Sequence, residues 1–311
     1  MKFKKLTPIM LIACISCVKT IHIDLQQQEP KLVVDGTIES GLPPYVVLSH
    51  SLNLFSTISK EELEKIYVHD AQVMISDGVT NDTLREYSYT DSIGFTFYLY
   101  TTDTTGLNFD LREFDTTLLK KKFIGRFNTG YTLTVKTKEG QSYTAKTTIP
   151  YNAKTCDSIW WEPVKEKNKP WCTMYGRYTD PPALGNYTRY FTRRNGERFL
   201  PGLISVSDDE IVNGTTYTQQ FNMGWDKNSL DSANAADINK FGYALRGDTV
   251  TLKYCNIDKT TFTFWNTWEY AFQTYANPFA SPVTVIGNVS NGALGAFCGY
   301  ATAYKTIIIP E

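Results

Sequence analysis

Histidine sets the first bound on what chemistry this chain can do. The 311 residues hold three, His22, His50 and His69, and none lies beyond position 69. A Ser-His-Asp or Cys-His set needs an imidazole to take the nucleophile's proton. The stretch after Pro150 therefore cannot build one unaided. His69-Asp70 has the groups to orient a base or a metal, but it reads as a surface pair at a strand edge. No Cys/His cluster shows zinc-ligand spacing. We expect no catalytic set, no metal site and no cofactor.

Acids and aromatic rings are the remaining candidates. Asp180 and the run Asp208-Asp209-Glu210 supply carboxylates of the kind that glycoside hydrolysis or calcium binding uses. Adjacency does not set a separation across a cleft, however, and acids just before Asn213-Gly214 read most simply as a solvated turn. Trp160, Trp161 and Trp171 flank the Pro- and Lys-rich stretch 163–170. They are the candidate ligand-binding residues, rings that could stack on a sugar or on a peptide side chain.

The N-terminus carries a different chemistry. Lys2, Lys4 and Lys5 precede an apolar run from Leu6 to Ile15 that ends in small residues and cysteines. This is the build of a secretory signal peptide, too short to span a bilayer as a helix. Ending on cysteine makes residues 1–17 a lipoprotein signal, in which the thioether carries diacylglycerol. Two cysteines compete. Leu11-Ile12-Ala13-Cys14 fits the general lipobox, and Ser16-Cys17 leaves a longer apolar run.

Composition narrows the class. Charged residues are 20% and hydrophobic residues 42% of the chain, enough to bury a core. A net charge of −1 argues against a nucleic-acid partner, which would meet a basic face. Aromatics reach 14%, with 20 Tyr, 17 Phe and 6 Trp, and with abundant Thr and Val they favour strands. Cys156, Cys172, Cys255 and Cys298 are too dispersed for a disulfide scaffold. They read as buried thiols or at most one bridge, with Cys156–Cys172 the nearest pair.

The elements that must position these groups follow from periodicity and turn chemistry. After a polar tether over 18–30, strands are expected at 31–38 with an Asp35-Gly36 bulge or turn, 45–51, 71–76 into an Asp77-Gly78 turn, 95–100, 131–137 and 142–149. Closely spaced strands across 31–150 imply an immunoglobulin-like β-sandwich. Residues 151–311 read as a second β-rich domain. Its strands are expected at 187–193, 197–200, 210–212 and 215–221, the last two joined by a type I′ Asn213-Gly214 hairpin. A further strand is expected at 250–254, and a final one at 304–309 after a Gly-rich turn over 292–300. Asp258 caps one amphipathic helix, 259–275, with Phe262, Trp265, Trp268/Glu269, Phe272 and Tyr275 in its apolar stripe. The fold class is mainly β.

The landmarks together resemble a known family. Cys17-Val-Lys-Thr-Ile-His-Ile-Asp-Leu25, Pro30-Lys-Leu-Val-Val-Asp-Gly36, Asp157-Ser-Ile-Trp160, Asp180-Pro-Pro with Asn186-Tyr187, Asn277-Pro-Phe279, and Gly292-Ala-Leu-Gly-Ala-Phe297 are similar in order and spacing to the Bacteroidota lipoproteins grouped as domain of unknown function 4249. Their lipidated cysteine sits just before this opening, which favours Cys17 over Cys14. The resemblance implies an outer-membrane lipoprotein, often encoded beside TonB-dependent receptors, and carries over no catalytic residue. The expected function is a non-enzymatic accessory or binding component of such an uptake system. It would be held to the outer membrane by lipid, with a TonB-dependent receptor and a glycan or peptide ligand as partners. The alternatives are a glycan- or peptide-acting hydrolase using Asp/Glu residues and a structural or adhesive surface protein.

Overall fold

The computed structural model describes residues 29–52, 59–92, 94–104, 107–108, 113–115, 123–164, 170–226, 242–275, 277, 279–281 and 283–311. Cys14, Cys17 and nearly all of the tether lie outside them. The first half contributes β1 (Leu32–Glu39), β2 (Tyr45–His50), α1 (Lys60–Lys65), β3 (Gln72–Ser76), β4 (Asn81–Thr90), β5 (Thr96–Thr101), β6 (Leu107–Asn108), β7 (Glu113–Phe114), β8 (Thr129–Lys136) and β9 (Ser142–Ile149). The second half contributes β10 (Thr155–Pro163), β11 (Trp171–Thr179), β12 (Tyr187–Arg194), β13 (Leu200–Ser207), β14 (Thr216–Phe221), β15 (Ala244–Leu245), β16 (Thr249–Ile257), α2 (Lys259–Thr274) and β17 (Leu294–Ile308). The fold is mainly β, as the composition implied.

In the first half, alternation does the positioning. In β9, Tyr143, Ala145, Thr147 and Ile149 are buried while Ser142, Thr144, Lys146 and Thr148 face out, the period of two that a half-buried strand imposes. The strand path β17-β1-β2-β5-β4-β3-β8-β9 folds over one aliphatic core of Val34, Ile38, Leu48, Val73, Ile75, Leu133 and Val135. Each such side chain contributes roughly 1.5–3 kcal/mol on burial. Residues 288–291 close the far edge. Asn288 donates to Lys146 O at 2.9 Å and exchanges two hydrogen bonds with the Phe297 backbone. Ser290 N donates to Thr144 O at 2.8 Å. β17 lies so near β9 that a Cβ on Gly299 would stand 2.8 Å from Thr148 O.

The second half is layered. The path β13-β12-β16-β17 continues the same eleven-stranded sheet. Helix α2 covers one of its faces through Ile257, Phe264, Cys298 and Tyr300. A four-stranded sheet, β10-β11-β14 with β15 beside β11, covers the other through Cys172, Met174, Phe221, Val250 and Leu252. Three ties join the halves. β17 pairs β1 in parallel over residues 294–300 and β16 antiparallel over residues 301–308. The α2 cap Asp258 accepts from Thr261 N with one oxygen and from Thr147 Oγ1 and Thr148 N of β9 with the other. Glu39 of β1 pairs with Lys253 of β16 and accepts from Tyr304 OH.

Four local expectations are corrected. Asp35-Gly36 makes neither a bulge nor a turn, since β1 runs unbroken and pairs without a shift on both sides. Gly36 is needed instead because a Cβ there would meet the Phe297 ring at 2.9 Å. Residues 294–300 are strand rather than turn, their glycines giving way to close strand packing. Asn213-Gly214 joins no hairpin: Asp209–Gly214 is a turn, and β14 pairs with β11. The α2 stripe ends at Phe272, and Tyr275 is 75% exposed. All four cysteines in the described residues are buried free thiols.

Candidate functional site

The small sheet places the tryptophans. Trp160 and Trp161 are neighbours on β10, so they point to opposite faces. Trp161 packs against the core between the two sheets and carries the Arg246 guanidinium 4.9 Å above its ring. Trp171 is 5% exposed and stacks on Tyr243 at 5.5 Å with the planes 9° apart. The three rings therefore do not line one cleft.

Trp160 alone belongs to the outer face. It stacks on Tyr175 at 5.8 Å with 17° between planes, and the strand register continues the row to Gln220. The adjacent row is Ser158, Arg177 and Thr218. Beyond it Asp157 accepts from Thr155 and Thr179 hydroxyls at 2.8 and 2.7 Å. The Thr179 bond is the main cause that holds the Asp157 carboxyl below the usual range. This face offers an aromatic pair flanked by an amide, a guanidinium and hydroxyls. Sequence reasoning missed Tyr175, Arg177 and Gln220, because they reach the face only through cross-strand register, which Pro163–Pro170 does not reveal.

The acid candidates are committed elsewhere. Asp209, 2% exposed, accepts Gly185 N and Asn186 N, both at 2.9 Å, and Asn186 Nδ2 at 3.1 Å. Burial works against its charge, yet these donors hold its carboxyl below the ordinary range. Asp208 offers its carbonyl to Lys154 Nζ at 3.5 Å. Asp180 and Lys154 are an enclosed ion pair, 3.2 Å apart with no side-chain exposure on either. Glu210 is exposed in the turn. None of these carboxylates shares a face with Trp160.

The described histidines are placed apart as well. His69 Nδ1 meets Glu86 at 2.5 Å beside Asp70, whose φ is 58° and which pairs with Lys138 at 2.9 Å. His50 lines a cavity of about 450 Å³ with Lys31, Gln141, Tyr143 and Asn291, where the tether enters the fold. Among the described residues no three His, Cys, Asp or Glu side chains group as metal ligands. No described helix is long and apolar enough to cross a membrane.

With this geometry in hand, the family can be stated. The family model described as domain of unknown function (DUF4249) matches residues 18–306. The chain belongs to this family. The match begins just after Cys17 and runs through both halves into β17. No curated protein matches the chain.

Proposed function

We propose that this DUF4249 protein is a lipid-anchored, non-enzymatic binding component of the outer membrane that works beside a TonB-dependent receptor. The N-terminal signal ending at Cys17 and the family's gene company support the location and the partner. The Trp160–Tyr175–Gln220 row, two half-buried stacked rings running to an exposed amide, supports binding, and it is the observation that carries the reading. It presents ring edges and hydrogen-bonding groups on one face of the small sheet, groups that can meet a glycan or an extended peptide. A hydrolase reading needs two free carboxylates, and Asp180 and Asp209 are already engaged within the fold.

Two measurements test this function. Calorimetric titration of the purified protein with neutral oligosaccharides and with unstructured peptides should give a saturable signal that Trp160→Ala removes. Tagged protein drawn from detergent-solubilised outer membrane should bring a TonB-dependent receptor with it, and Cys17→Ala should release the protein from the membrane. Repeated recovery of no receptor, together with no saturable ligand, overturns the proposal.

A further inference from the structure

Among the described residues the other buried acids are supplied with hydrogen-bond donors, and Asp180 is not. Glu269 accepts Ser205 N and Ser205 Oγ. Asp209 takes three N–H groups from Gly185 and Asn186, and Asp248 accepts Leu245 N and Asn195 Nδ2. Asp180 is 3% exposed, yet neither of its oxygens accepts a directed hydrogen bond. What stands beside it is an amine, Lys154 Nζ, 3.2 Å from Oδ2.

An ionised carboxylate and ammonium removed from water lose their hydration, and an ion pair recovers that loss only with good geometry and further hydrogen bonds. Here the further bonds to the acid are lacking. Burial pushes the Asp180 carboxyl up, Lys154 pulls it back, and the charge of Asp209 adds to the rise. In such a site the ion pair and the neutral acid-amine pair differ by one proton moved across the gap.

The fold also fixes the two groups against each other. Lys154 directly precedes β10 and Asp180 directly follows β11, and these strands pair with Thr155 opposite Thr179. The Lys154 backbone is clamped on both sides by Asn256, which accepts from its N–H at 2.9 Å and donates to its C=O at 2.8 Å. The Tyr217 ring lies 5.5 Å from Nζ, with Tyr178 tilted against it and Tyr254 tilted against Tyr178. An amine held 3.2 Å from a carboxyl oxygen, with both side chains closed off from water, stands next to the carboxyl carbon, and such fixed proximity in a dry site turns a slow bimolecular condensation into an intramolecular step.

We propose that Lys154 and Asp180 become joined by an intramolecular amide bond that staples the base of the β10–β11 pair. The neutral Nζ lone pair attacks Cγ of the protonated Asp180 carboxyl and forms the N–C bond. The C–O bond to the carboxyl hydroxyl then breaks, and that hydroxyl leaves as water with a proton from Nζ. Nothing is oxidised or reduced, and no co-reactant is needed. The cross-link removes both buried charges and shortens the loops open to the unfolded chain, the same constraint by which a disulfide stabilises.

The test is peptide mapping of the reduced, denatured full chain after extraction from membranes. Trypsin should leave residues 147–165 uncut at Lys154 and joined to residues 178–189, the pair lighter than its parts by one water. Lys154→Arg should abolish the branched species. Separate peptides ending at Lys154 and containing an unmodified Asp180, from protein purified in its folded form, overturn the proposal. So does a branched mass that survives in Lys154→Arg. The wild-type result decides the matter even if the variant fails to fold.

Discussion

The two halves share a sheet but keep it together by different means. Among the described residues, the buried polar side chains of the first half are the hydroxyls Thr101, Thr137 and Thr147, plus Glu39, whose ammonium partner comes from the other half. The second half buries Lys154, Asp180, Arg189, Asp209, Asp248, Asn256 and Glu269. Along β3, β8 and β9 alternation places the core side chains, and aliphatic packing suffices. Where a helix must cross a sheet at one position, apolar contact is non-directional, and polar groups set the register. Glu269 on α2 grips Ser205 of β13. Arg189 lies 3.4 Å over the Trp265 ring and bonds Tyr300 OH at 3.0 Å, and Tyr300 OH in turn accepts from Trp265 at 2.8 Å.

The contrast can be broken at several points. Phe297→Ala empties the aliphatic core from the strand that both halves share, and should cost about 3–5 kcal/mol in denaturant unfolding. The loss should come in one transition. Two separated transitions would show that the halves are energetically independent. Glu269→Gln should cost about 2–3 kcal/mol by removing a charged acceptor from two buried bonds. An unchanged midpoint would refute the claim that polar contacts set the helix.

Smaller effects sharpen the picture. Asp258→Ala removes the α2 cap and its grip on β9, a loss of about 1–2 kcal/mol. Asp209→Asn should cost about 1–2 kcal/mol at neutral pH. Because the folded-state carboxyl is held below its ordinary range, its contribution is present above the unfolded value and fades as pH falls through the folded one. The gap between Asp209→Asn and wild type should therefore narrow below about pH 4. Equal gaps at pH 7 and pH 3 would remove the electrostatic account. Trp160→Ala, at a half-buried ring on the outer face, should change stability by only about 0.5–1 kcal/mol while abolishing ligand binding. A large stability loss there would make Trp160 a structural residue.

How far these features were legible in the sequence follows the same division. β9 shows in the alternation of Tyr143, Ala145, Thr147 and Ile149, and α2 in the Asp258 cap and the spacing from Phe262 to Phe272. Glu269 falls within the apolar stripe, a visible hint that an acid faces the sheet. Local pattern fails where pairing partners are distant. Glycine at 292, 295 and 299 imitates a turn, although Gly295 and Gly299 admit close backbone approach. Gln220 gains meaning only beside Tyr175, and Lys154 only beside Asp180. The candidate site was legible as one ring, Trp160. The rest of it exists only after β11 is laid between β10 and β14.

The shared last strand also bears on how the chain comes to be folded. Val33 finds its partner in Leu294, nearly a whole chain length away, and such distant pairings form slowly. A chain delivered N-terminus first carries β1 with one edge open, and an aliphatic core short of Phe297, until its last strand emerges. Early compaction of the first half is thus withheld until β17 is in place beside β1.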